Sequence, residues 1–176
     1  MTGRVRTLLG VALLGVSACS QNTTPPPQSS AFSGQPSADQ SARLREAMTI
    51  AADLPLLPAG IVQGVRPIAM TKAAFEFAAR HPEVLRYIPC FCGCDRGGHK
   101  GNHDCFVAGR NAAGQVTAWE PHGIVCEMCI DIGYLAMQMH NGGATVASIR
   151  QAVEQRYPGA HQHTPTPNPP RGGTLD

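Results

Sequence analysis

The chain has 176 residues, 43% of them hydrophobic but only 5% aromatic, and a formal charge of +2. A balance so close to neutral, with no basic cluster, argues against nucleic acid or an electrostatic membrane patch as partner. Low-complexity stretches at both ends leave one small domain of roughly 100 to 120 residues, whose single tryptophan, Trp119, makes a covalent or metal staple useful.

Residues 1–18 read as an export signal. Arg4 and Arg6 form a basic flank, and Leu8 to Val16 is an apolar run too short to span a bilayer. The stretch VSAC, Val16 to Cys19, resembles the bacterial lipobox, in which the cysteine is lipidated and becomes the new N-terminus. The alternative is an ordinary signal peptide with Cys19 left free or removed. Cleavage leaves twelve basic against twelve acidic residues and six cysteines in the folded part. The expected location is extracytoplasmic, with a lipid anchor to a bacterial membrane.

Residues 19–36 are rich in Ser, Pro, Gln and Thr and read as the lipidated cysteine and a flexible tether. The domain then spans 37–157. Ser37 and Gln40 stand at capping-box spacing, and Leu44, Ala47, Met48 and Ala51 recur at helical intervals up to Leu54. Thr71 can cap a second helix with Ala74, Phe75 and Ala78 inward, and Pro82 can start a turn carrying Val84, Leu85 and Ile88. Two short apolar runs between Cys105 and Pro121, separated by GRNAAG, could form a small hairpin. Pro121 suits the first position of a long helix to about His140, stopped by NGG. Thr145 can cap a last helix with Val146, Ile149, Val153 and Tyr157 on its apolar stripe. Residues 158–176 read as a disordered tail, with His161 and His163 solvated rather than bound to a metal. The expected fold class is mainly α: a small helical domain with a cysteine-rich loop and one short β-hairpin.

The chemistry concentrates in two segments. In HGIVCEMC, a continuous helix would put His122, Cys126 and Cys129 near 0°, 40° and 340° on the helix wheel, one imidazole and two thiols on one face. Gly133 on that face leaves room for an opposing loop or simply for tight helix packing. The opposing loop is PCFCGCDRGGHKGNHDC, where Cys90, Cys92 and Cys94 alternate and Gly93, Gly97 and Gly98 let the backbone curl, with His99, His103 and Cys105 close behind. No Walker-type Lys-Ser/Thr pair follows these glycines, so they do not indicate phosphate binding.

Three readings of the thiols stand open. Disulfides are the default for an exported protein, and six cysteines allow fifteen pairings, although a bond within Cys-x-Cys closes a cramped ring. Thiol redox chemistry at Cys126 and Cys129 has the CxxC spacing but lacks a preceding βαβ pattern. A c-type haem site does not fit, because Ile130 rather than a histidine follows Cys129. A metal centre explains the most residues at once: Cys90, Cys92, Cys94, His99, Cys105, His122, Cys126 and Cys129 supply thiolates and imidazoles suited to Cu(I) or Zn(II). The crowded triplet favours bridging sulfurs and leans toward copper, with zinc open. Met128, Met137 and Met139 could add thioethers, but helix-core packing is their simpler role.

The motifs PCFCGC, Gly98-His99, CFV at Cys105 to Val107 and HGxxCxxC at His122 to Cys129 resemble the bacterial PCYCGC-motif lipoproteins, with Phe91 in place of the usual Tyr. The resemblance covers roughly Ala73 to Tyr157. It implies an exported, cysteine-rich lipoprotein and maps the family's thiol motifs onto Cys90, Cys92, Cys94, Cys105, Cys126 and Cys129; it supplies no activity. The functional expectation is a membrane-tethered, non-enzymatic protein that captures a soft metal or delivers it to a receiving protein. The alternatives are a disulfide-stapled interaction domain and a thiol-disulfide oxidoreductase. No Ser/His/Asp set or paired carboxylates stand ready for hydrolysis.

Overall fold

The computed structural model describes residues 36–158 and 162–170. The expected export signal, Cys19 and the expected tether up to residue 35 lie outside the described residues, as do 159–161, with His161, and 171–176.

Helix α1, Ala38–Met48, starts as its capping box requires: the Gln40 amide donates to Ser37 Oγ (3.2 Å) and the Ser37 amide to Gln40 Oε1 (2.8 Å). It stops six residues short of Leu54, because Thr49 turns extended and its hydroxyl donates to the Arg45 carbonyl at 2.8 Å. None of its residues is buried. A 3-10 turn at Ala59–Gln63 then leads to helix α2, Ile68–Arg80. This helix begins a turn before the expected cap. Thr71 is fully buried inside it, with its amide and hydroxyl both donating to the Pro67 carbonyl (3.0 and 3.3 Å). Pro67 tolerates the position ahead of a first helical turn, and an interior place for Thr71 keeps Ala74, Phe75 and Ala78 on the inner face, all three fully buried. The short helix α3, Pro82–Leu85, delivers Val84, Leu85 and Ile88 to the core as expected.

The hairpin forms from β1, Val107–Arg110, and β2, Val116–Trp119, paired antiparallel with an irregularity on both sides of Gly109. Its turn is closed by Asn111, whose side-chain oxygen accepts from the amides of Ala113 (3.0 Å) and Gln115 (2.9 Å). The hairpin is tied back to α2: Arg110 Nη2 donates to the carbonyls of Ala78 (3.0 Å) and Ala79 (2.9 Å) in the last turn of that helix. Phe75 packs edge-on against both Phe106 (centroids 5.0 Å) and Trp119 (5.5 Å), and the Trp119 indole donates to the Pro55 carbonyl at 3.1 Å.

The helix expected from Pro121 to His140 is not continuous. It divides into α4, His122–Val125, and α5, Glu127–Asn141, with Cys126 between them in extended geometry (φ −110°, ψ 101°). The Cys126 amide still donates to the His122 carbonyl (3.1 Å) and its carbonyl still accepts from Ile130 (3.2 Å), so one residue carries the whole break. Helix α6, Val146–Arg156, is capped by Thr145 as expected and buries Val146, Ile149 and Val153. Helix α5 lies between α2 and α6, and the apolar core fills the space they enclose. No helix among the described residues is long and apolar enough to cross a membrane.

The segment 162–170 differs from the disordered tail that its composition suggests. Thr164 is fully buried, its amide donating to the Cys90 carbonyl and its hydroxyl accepting from the Cys90 amide, both at 2.9 Å. Arg150 Nη1 donates to the Pro167 carbonyl at 2.6 Å. These partners are long-range, so composition alone carries no trace of them.

Candidate metal centre

Each segment of the site is held by a distinct local device. After α3 the chain runs through Pro89 into Cys90, whose two backbone polar groups are both satisfied by Thr164. Gly93 takes a left-handed conformation (φ +81°) that a side chain would strain, and it turns Cys94 back into the 3-10 turn Cys94–Gly97. A second 3-10 turn, Asn102–Cys105, carries Cys105 inward. Buried Asn102 joins the halves of the site: its amide donates to the Ile88 carbonyl (2.9 Å) and its Nδ2 to the Cys129 carbonyl (3.2 Å).

The close approach of this loop to α4 and α5 depends on two glycines. A Cβ on Gly123 would lie 2.6 Å from the Cys105 carbonyl oxygen and 2.7 Å from the Phe106 ring; one on Gly133 would lie 3.1 Å from that ring and 3.2 Å from Asn102 Oδ1. Gly133 therefore makes room for the loop, one of the two roles its position allowed. Phe106, fully buried, fills the space between the two glycines.

The break at Cys126 changes how the CxxC pair works. In a continuous helix the Cys129 amide would bond to a carbonyl one turn earlier. Here α5 begins anew, and Cys126 Sγ accepts from that amide (3.4 Å), a sulfur standing where a serine or aspartate oxygen usually caps. The sulfurs of Cys126 and Cys129 come to 3.0 Å. His122, Cys126 and Cys129 still converge with Cys92, but through the extended residue and not through one continuous helix face.

The resulting cluster is dense. Cys90 Sγ lies 3.4 Å from both Cys92 Sγ and Cys129 Sγ, Cys92 Sγ is 3.5 Å from Cys129 Sγ, and Cys94 Sγ is 3.7 Å from Cys105 Sγ. His122 Nε2 meets Cys92 Sγ, and His99 Nδ1 meets Cys105 Sγ, each at 3.5 Å. The two imidazoles stand edge to face at 5.6 Å. All six cysteines among the described residues are free, the nearest sulfurs being well beyond the disulfide bond length of about 2.05 Å. Four overlapping groups have donors within 4.8 Å of one another: Cys92, His122, Cys126 and Cys129; Cys90, Cys92 and Cys94; Cys90, Cys105 and Cys129; and Cys94, His99 and Cys105. A tetrahedral shell with metal–sulfur bonds of about 2.3 Å places donors about 3.8 Å apart, so these groups could hold a metal ion with small adjustments.

The remaining expected donors lie elsewhere. His103 bonds Asp104 Oδ1 (3.0 Å) and faces Arg110 Nη2 (3.3 Å), and His163 bonds the Thr164 carbonyl (2.8 Å) while its ring meets Phe91 edge-on. Met128, Met137 and Met139 pack against the apolar core. Sequence reasoning missed Asn102 and Thr164, which position the loop. Neither carries a sequence signal, since a buried amide and a threonine in a Pro/Thr-rich tail look like ordinary surface residues.

Crowding divides the thiols electrostatically. Contacts with Cys105, then Cys129 and Cys92, bring Cys90 down to about 4, and contacts led by Cys105 bring Cys94 to about 3 and Cys92 lower still. Cys129 is driven far upward by Cys105 and Cys126, and Cys105 rises because Cys90, Cys92 and Cys94 outweigh the favourable contact with Cys129. For Cys126 the Cys129 hydrogen bond favours the thiolate, but Cys92 and burial oppose it and the net is upward, to about 11. Burial works against His122 protonation, yet the hydrogen bond and charge of Cys92 raise its pKa overall. Contacts among the sulfurs thus favour the thiolate at Cys90, Cys92 and Cys94 and oppose it at Cys105, Cys126 and Cys129, where a bound cation would favour it.

Residues 8–169 match the family described as "Protein of unknown function with PCYCGC motif". The chain belongs to this family. Its PCYCGC hexapeptide, with Phe91 at the third position, supplies three of the six clustered sulfurs, and Phe91 itself stacks on Tyr157 (5.4 Å). No curated protein and no solved structure matches the chain.

Proposed function

We propose that this PCYCGC-motif protein is a non-enzymatic carrier that captures Cu(I) outside the cytoplasmic membrane, tethered through a lipid on Cys19, and hands it to a receiving protein. One observation carries the reading: six free thiols and two imidazoles, drawn from two separate stretches of chain, meet in a single contact cluster. Soft thiolates select soft ions, and a shell with more sulfurs than one tetrahedral ion can use favours the monovalent ion that thiolates bridge. Membrane tethering rests on the basic flank, apolar run and VSAC sequence that precede the tether.

The test is anaerobic purification under reducing conditions, followed by metal analysis, competition for Cu(I) with a chromophoric chelator, and thiol counting after metal removal. Copper retained against the chelator and six titratable thiols in the domain are expected. Three intact disulfides with no metal affinity would overturn the reading in favour of a stapled interaction domain. Zinc is a second reading with its own support, since Cys92, His122, Cys126 and Cys129 form a four-donor set of the kind zinc takes. Preferential retention of zinc over copper in the same competition would select it. The 3.0 Å approach of Cys126 and Cys129 at the start of α5 also favours thiol exchange. Reversible oxidation of this pair with turnover of a dithiol substrate would mark an oxidoreductase.

A further inference from the structure

Seven of the eight donors fall into two chambers, an outer and an inner, and the eighth, Cys90, adjoins both. In the outer chamber Cys92, His122, Cys126 and Cys129 lie within 4.8 Å of one another, and all but Cys129 are half-exposed. In the inner chamber Cys94, His99 and Cys105 are equally close, and both thiols are buried. Cys90 belongs to neither set alone. Its fully buried sulfur groups with Cys92 and Cys94 and also with Cys105 and Cys129, so each group pairs one outer with one inner thiol.

An ion in the outer chamber has four donors at hand and need not use all of them, which leaves it room to take Cys90 as a shared ligand. Cys94, His99 and Cys105, two buried thiols and a half-exposed imidazole, would then remain as unused ligands, while Cys90, in contact with the outer sulfurs, has a lone pair to spare. Thiolate sulfur bridges soft monovalent ions, and Cys90 is where such a bridge reaches both chambers.

We propose that the cluster holds at least two Cu(I) ions joined through Cys90, the outer one exchanging with the surroundings and the inner one retained. The inference rests on the copper reading above. Exposure orders the two: Cys92, Cys126 and His122 are half-exposed to an incoming ligand, whereas the thiols Cys94 and Cys105 are buried. Loading is ligand exchange. Thiol protons leave to solvent as sulfur–copper bonds form, and copper stays Cu(I) throughout.

The experiment titrates the reduced full chain with Cu(I) under anaerobic conditions, reads stoichiometry by native mass spectrometry, and follows removal by excess bicinchoninate. X-ray absorption on the loaded protein checks for a copper–copper vector. The expected result is at least two coppers per chain, a copper–copper vector, and removal in two phases. His122→Ala should abolish the fast phase and spare the slow one, while His99→Ala should do the reverse. Both imidazoles are half-exposed, so these variants test the assignment even where a Cys94→Ser chain does not fold. A single copper with no copper–copper vector overturns the two-chamber inference and leaves the proposed function standing. One kinetic phase altered equally by both variants also overturns it. No bound copper overturns both.

Discussion

Helix α1 and the stretch from His122 to Asn141 are opposite cases of how a helix is specified. The first has a complete capping box and an exposed Asp39–Arg43 ion pair (3.1 Å), yet no buried residue, with only Ala47 and Met48 half-buried against the core. The second is interrupted at Cys126 and capped by a sulfur, yet places Cys129, Ile130, Ile132, Gly133 and Ala136 in the core. Local signals decide where a helix begins, whereas the contacts it makes decide what it contributes.

The largest effect should come from Phe106→Ala, which empties the space between Gly123 and Gly133. A loss of about 3 to 5 kcal/mol is expected from denaturant unfolding; a loss below about 1 kcal/mol would mean that the interrupted stretch does not depend on this contact. Cys126→Ser separates the two roles of that residue. Serine is the better cap, so stability without metal should hold within about 1 kcal/mol, while Cu(I) affinity measured by chelator competition should fall at least about tenfold. Unchanged affinity would remove Cys126 from the site.

Thr164→Val leaves the buried Cys90 amide without its acceptor and should cost about 1 to 3 kcal/mol. Wild-type stability in this variant would show that the 162–170 segment does not support the loop. A smaller effect belongs to Asp131, which receives both Arg66 Nε (2.8 Å) and Nη2 (2.7 Å). The Arg66 hydrogen bond holds the Asp131 carboxyl below its ordinary 3.8. Its contribution is therefore complete above about pH 4 and is lost as pH falls through the lowered value. Acid titrations of wild type and Asp131→Asn should diverge above that range and converge below it. Ser37→Ala should weaken α1 locally by about 1 kcal/mol, visible as faster amide exchange there, with the global transition unmoved. A shifted global transition would erase the contrast between the two helices.

Much of the fold was legible because its signals are local. The Ser37 and Thr145 caps, the Pro82 turn with Val84, Leu85 and Ile88, and the hairpin from Val107 to Trp119 all follow from short-range pattern. Besides the 162–170 segment, two expectations failed where a long-range contact overrode such a pattern. Thr71 became an interior residue so that one face of α2 could pack, and Cys126 left helical geometry where α4 and α5 meet the cysteine loop. The eight candidate donors lie in overlapping groups with atoms within 4.8 Å of one another, whereas His103 joins Asp104 and Arg110.

The sequence by itself determined the chemistry available: six thiols in the domain, two imidazoles beside them, glycines that let chain segments touch, and helices whose starts are written in their caps. Tertiary structure alone decided the gathering of those thiols into overlapping groups about Cys90, the break that turns Cys126 into both cap and ligand candidate, and the clasp of Thr164 on the loop. The physical reason is range. A cap or turn is settled within a few residues, but a sulfur contact between Cys90 and Cys129, or a hydrogen bond between Cys90 and Thr164, exists only after the core has brought distant segments together.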